Sequence, residues 1–146
     1  MGRVVMPSIV GAVLVTGFLA GAASAVAEPL PPTPSADQLN AQLQTVLNTR
    51  AGDAERAAGL QGGAAAIPTA NNIANQMDRF SSMFSWQVQS PSIRGNQLNA
   101  DLAVSVPVFG TKTHQINWVA QDGRWKLSNA SACVIATQVA GTDCGV

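Results

Sequence analysis

Between Leu98 and Val108 every second residue is apolar. Leu98, Ala100, Leu102, Val104, Val106 and Val108 alternate with mainly polar neighbours. Side chains along a strand point to opposite faces in turn, so this is the pattern of a half-buried β-strand, the strongest such signal in the chain. Phe84, Trp86 and Val88 alternate in the same way ahead of it, and Pro91 with Gly95-Asn96 reads as the intervening loop. A third strand is predicted over about 112–120 and a short fourth over about 124–128. Asp122-Gly123 between them is a favourable two-residue hairpin turn. Such a turn pairs Ala120 with Trp125 and Trp118 with Leu127, and gathers them with Ile116 on one face. An odd-length loop or a bulge near Phe109-Gly110-Thr111 brings the second strand onto that face. Leu102 is then expected opposite Trp118, Val104 opposite Ile116 and Val106 opposite His114. Gln115, Asn117, Ser105 and Lys126 fall on the other, wet face. Pro107 cannot donate to a ladder, so one-sided pairing is expected there.

Ahead of the strands the period is helical. Ser35 is placed as an N-cap with Gln38 as its capping-box partner, and Leu39, Leu43, Val46 and Leu47 recur on one face. A second helical piece is expected over about 53–60, broken by Gly62-Gly63. A third over about 70–80 follows Pro68-Thr69, with Ile73, Met77 and Phe80 as its apolar stripe. A last helix is expected over about 131–140. The fold class is therefore α+β: N-terminal helices packed on one face of a curved antiparallel four-stranded sheet, with a short C-terminal helix.

The N-terminus follows a different rule. Arg3 is the only charged side chain before Glu28, residues 9–20 are an apolar run, and small residues follow. This is the pattern of a cleavable signal peptide over 1–27. Ala25 and Ala27 are the small residues required for a cut after Ala27, and Ala23 with Ala25 for a cut after Ala25. No Cys stands at either site for lipid attachment. The Pro-rich stretch 28–34 reads as a linker, and 35–146 as a single α+β domain.

The charge balance narrows the partners. Eight basic and eight acidic residues cancel, and loss of Arg3 leaves a slight negative excess. No basic patch is available for a phosphate backbone, so no nucleic-acid partner is expected. No second apolar run is long enough to span a bilayer, so no membrane partner is expected after cleavage. An exported chain meets an oxidising compartment, where Cys133 and Cys144, the only cysteines, are expected to form a structural disulfide turning at Gly141.

Candidate chemistry is sparse. His114 is the only histidine, and Asp101 projects from the opposite face, so neither an orienting partner nor a nucleophile is at hand. No catalytic residue, cofactor or metal ligand set is assigned. Trp86, Leu102 and Trp118 on the apolar face are candidates for lining a pocket for an apolar small molecule.

Two further stretches carry a resemblance. The run from Pro34-Ser35-Ala36-Asp37-Gln38-Leu39 through Leu47, and Asn117-Trp118-Val119 to Gly123-Arg124-Trp125-Lys126-Leu127-Ser128 with Ala130-Ser131-Ala132, resemble the mycobacterial low-molecular-weight secreted antigen family over most of the mature chain. Similar hairpins occur in cystatin-like and nuclear-transport-factor-like α+β folds. The resemblance implies a protein released to the extracellular medium and recognised by host immunity, with no catalytic residues to carry over. The first functional reading is thus a secreted, non-enzymatic antigen-family protein. The alternative is a binding module that encloses an apolar small molecule or lipid between sheet and helices, and a third is an enzyme with a dispersed site around His114.

Overall fold

The computed structural model describes residues 29–146; the signal peptide expected over 1–27 lies outside the described residues. Helix α1 (Ala36–Val46) begins at the capping box read from the sequence. The Ser35 Oγ accepts the Gln38 N–H at 3.2 Å, and the Gln38 Oε1 accepts the Ser35 N–H at 2.9 Å. Its buried face carries Leu39, Leu43 and Val46. Helix α2 (Asp53–Ala58) is short, and a 3₁₀ turn (Gly63–Ala66) leads directly into α3 (Ile67–Arg79). α3 starts earlier than expected because Pro68 sits inside its first turn, where a missing N–H costs no helical bond. Ile67, Ala70, Ile73 and Ala74 form its buried stripe. Phe80 lies beyond the last turn and is exposed, contrary to the expected stripe.

The sheet is a simple antiparallel meander, β1 (Ser85–Arg94), β2 (Gln97–Val106), β3 (Gly110–Gln121) and β4 (Arg124–Leu127), each paired with its chain neighbour. The β3–β4 register is the one the Asp122-Gly123 turn demands: Trp118 pairs with Leu127 and Ala120 with Trp125. Asp122 and Gly123 both have positive φ, 55° and 73°, the requirement of a type I′ turn.

Two expectations are corrected. First, β1 runs on through Pro91. Between Gln89, opposite Asp101, and Ser92, opposite Asn99, two residues face one on β2, which makes a β-bulge at Ser90-Pro91. β1 is an edge strand, so the missing proline N–H is tolerated. Second, the β2–β3 pairing is displaced by four residues. Leu98, not Leu102, lies opposite Trp118; Ala100 lies opposite Ile116, Leu102 opposite His114 and Val104 opposite Lys112. The connecting loop is odd in length as expected, but it is Pro107-Val108-Phe109, closed by Val106 opposite Gly110. An even displacement leaves every side chain on its face.

Helix α4 (Asn129–Val134) is capped by Ser128, whose Oγ accepts the Ser131 N–H at 3.0 Å, and continues as a π-helical turn (Ile135–Ala140). It ends at Gly141, φ 66°. Cys133 and Cys144 are joined by a disulfide with Cα atoms 5.1 Å apart. The tail beyond Gly141 also touches α3, since the Gly145 N–H donates to Thr69 Oγ1 at 3.2 Å.

One core lies between the helices and the apolar face. Leu39, Leu43 and Val46 of α1, Ile73 of α3 and Ile135 and Ala136 of the C-terminal helix meet Val88, Leu98, Leu102, Ile116, Trp118, Trp125 and Leu127. Polar ties cross it. The Trp118 Nε1 donates to Gln42 Oε1 at 2.8 Å, and Gln42 Nε2 donates to the Trp125 carbonyl at 2.6 Å. Buried Arg56 donates from Nε to the Val46 carbonyl at 2.9 Å, satisfying an acceptor at the end of α1. Each rim of the sheet is tied at one residue, although most of β1 around Val88 is exposed. The Asn40 amide bonds the main chain of Val88 on β1, while Gly59 and Gln61 bond Leu127 on β4 at 2.8 and 2.9 Å. Asn117 is not a freely solvated side chain: its Oδ1 accepts the hydroxyls of Ser128 and Ser131, and its N–H donates to Ser131 Oγ at 2.7 Å.

Candidate functional site

The residues named from sequence fall on the apolar face, at different levels. Trp118 is fully buried beneath Gln42. Leu102 is buried between Val88 and His114. Trp86 is half-buried opposite Val104, packed against the core margin. Trp86 lines two open surface clefts; Leu102 and Trp118 do not line them. His114, opposite Leu102 rather than Val106, hydrogen-bonds through Nδ1 to Gln138 Oε1 at 3.2 Å. Asp101 points to the opposite face, across from Gln115. Among the described residues no group of three His, Cys, Asp or Glu side chains is arranged to hold a metal ion.

The most apolar concavity lies at the far end of the sheet. There the segment after α3 comes beside the β2–β3 hairpin, and a cleft of about 620 Å³ opens between Phe84 on one side and Val106, Pro107 and Val108 on the other, with Ser82 and Thr111 at its margin. Four of the seven large apolar side chains exposed among the described residues belong to this end: Phe80, Met83, Val108 and Phe109. Val108 is 100% exposed and Phe109 85%.

The backbone at the tip is unusual. Val108 has φ 76°, in the left-handed region. A β-branched residue is disfavoured there by contact between its side chain and its own backbone, and glycine, asparagine or aspartate is the ordinary choice. Here the strained residue also points its whole side chain into water. Arg79 ends α3 next to Phe80 and Lys112 stands two residues past Gly110, both exposed, while Asp78 lines a cleft with Phe84. The ion pairs among the described residues lie elsewhere, Arg56–Asp53 at 3.8 Å and Lys126–Asp122 at 3.2 Å.

Two other concavities are polar. One, of about 530 Å³, runs between α1 and the sheet edge and presents Asp37, Asn40, Gln44, Gln87 and Gln89 beside Trp86. Another, of about 220 Å³, lies on the open face among Arg94, Asp101 and Gln115.

Sequence reasoning missed the hairpin tip. The signal was available: Pro107-Val108-Phe109-Gly110 puts three apolar residues where turn chemistry favours polar ones. Alternation absorbed Val108 into the strand and hid it.

Comparison with curated proteins and with solved structures gives no significant match. The family model described as low molecular weight antigen MTB12, C-terminal domain, matches residues 32–144, from the Pro-rich start through the second half of the disulfide. The chain therefore belongs to the low molecular weight antigen MTB12 family.

Proposed function

We propose that this chain is an exported, non-enzymatic domain that works by binding an apolar partner at the end formed by residues 80–84 and 106–111. The observation that carries the reading is the open apolar cleft beside Val108 and Phe109, two large side chains held in water on a strained turn. Exposed apolar surface of this kind marks binding sites when it is gathered at one place. Export is supported by the signal pattern of 1–27 and by the antigen family. A role without covalent chemistry is supported by His114, whose partner is the neutral amide of Gln138 rather than an orienting carboxylate. Recognition by host immunity fits a family described as antigens, and concerns the host rather than the producing cell.

The test is titration with a neutral apolar fluorophore such as N-phenyl-1-naphthylamine. Saturable binding that weakens in Val108→Ser and Phe109→Ser is expected. Absence of saturable binding, or unchanged binding in both variants, overturns the reading.

A further inference from the structure

We propose that this apolar end docks on an anionic lipid surface, with Val108 and Phe109 entering the headgroup layer and Arg79 and Lys112 meeting the lipid phosphates. The inference rests on the binding role just proposed and names the partner. It revises the expectation that the exported domain meets no membrane: that expectation followed from the lack of a spanning run, and surface contact needs no span.

Three occupants compete for this end, and the geometry separates them. A small apolar molecule would be enclosed over most of its surface. Val108 borders the cleft yet is fully exposed, however, and Phe109 lies outside the lining, so most of the apolar surface of the tip would stay in water in such a complex. A second copy of this chain would need about 20–30 residues from each partner in a stable interface. The hairpin supplies a three-residue tip, too narrow to provide that many. A lipid surface has neither requirement. It accepts a narrow convex tip, solvates apolar side chains at the acyl boundary, and presents negative charge around them.

Charge sets the sign of the preference. Arg79 and Lys112 outweigh Asp78 at this end, although the whole chain carries no net charge. The strain at Val108 points the same way. Asparagine or glycine would close this turn with less strain, and the tip instead holds an apolar side chain at its most outward position.

The experiment is co-sedimentation of the purified protein with vesicles of phosphatidylcholine alone and of phosphatidylcholine mixed with phosphatidylglycerol. Stronger binding to the mixed vesicles is expected, by roughly fivefold at low salt for one net charge, and the margin should shrink as salt is raised. Val108→Asn together with Phe109→Ser should reduce binding by about tenfold or more. Asparagine suits the left-handed backbone, so this variant keeps the fold, which circular dichroism checks. Lys112→Gln should lower only the anionic preference. Ile93→Ser, at the opposite end of the sheet, serves as the control with unchanged binding. Lack of binding to either vesicle, or full binding by the double variant, overturns the proposal. If the neutral fluorophore still binds while vesicles do not, the lipid partner is wrong and the binding role survives. Concentration-dependent dimerisation abolished by the double variant would overturn the proposal and assign the tip to a second copy.

Discussion

The side chain of Asn40 completes the outer rung of the sheet at Val88, accepting its N–H at 2.8 Å and donating to its carbonyl at 3.1 Å. One amide on a helix thus takes the place of a neighbouring strand. Asn40→Ala leaves both main-chain groups of a fully buried residue without a partner and should cost about 1–3 kcal/mol. Denaturant unfolding would show the loss, and hydrogen exchange should locate it at the Val88 amide. Unchanged protection there would mean that water or a neighbour replaces the amide.

Trp118 and Gln42 form the second tie between α1 and the sheet. Trp118→Ala should destabilise by about 3–5 kcal/mol, since it empties a fully buried aromatic site. Gln42→Leu keeps the volume but strips partners from the Trp118 indole and the Trp125 carbonyl, at a cost of about 1–3 kcal/mol. Equal unfolding midpoints for Gln42→Leu and the parent protein would contradict this.

Reduction of Cys133–Cys144 should lower stability by roughly 3 kcal/mol, from the added freedom of the unfolded chain. The damage should stay local. Exchange should quicken beyond Gly141, where the Thr142–Ala136 and Gly145–Thr69 main-chain N–H bonds would remain as the tail's ties, while Val88 and Ile116 remain protected. Loss of protection across the sheet would show that the bridge supports the whole core.

Val108→Asn should raise stability by about 1 kcal/mol, because asparagine tolerates the left-handed backbone that valine resists. A gain in thermal midpoint checks it, and a loss would mean that Val108 packs in a way its full exposure does not show.

The intact mass of protein recovered from the medium should correspond to a first residue of Glu28, or of Val26 if the earlier site is cut. The full-length chain in the membrane fraction would contradict export with cleavage.

These tests divide between features that were legible in the sequence and features that were not. The capping box at Ser35 and Gln38, the Asp122-Gly123 turn with its register, and the Cys133–Cys144 bridge were legible because each depends on a few neighbouring residues of fixed chemistry. The β2–β3 register was not. Periodicity of two is blind to a slip of four, and Gly110 drew the turn toward itself although the chain reverses at Val108. The strand through Pro91 was hidden by the rule that proline breaks ladders, which fails at a bulge on an edge. The apolar end was missed for a related reason: it joins the segment after α3 to the hairpin, and only the folded sheet brings them together.

The meander also bears on how the chain reaches this state. Every strand pairs with its neighbour in sequence, so the sheet closes through short loops of small entropic cost and is able to form early. Its two covers arrive from farther off, Asn40 across 48 residues to Val88, and Gly59 across α3 and most of the sheet to Leu127. Until they dock, a folding molecule carries two open rims on which another copy can add strand to strand. Refolding yield should therefore fall as protein concentration rises.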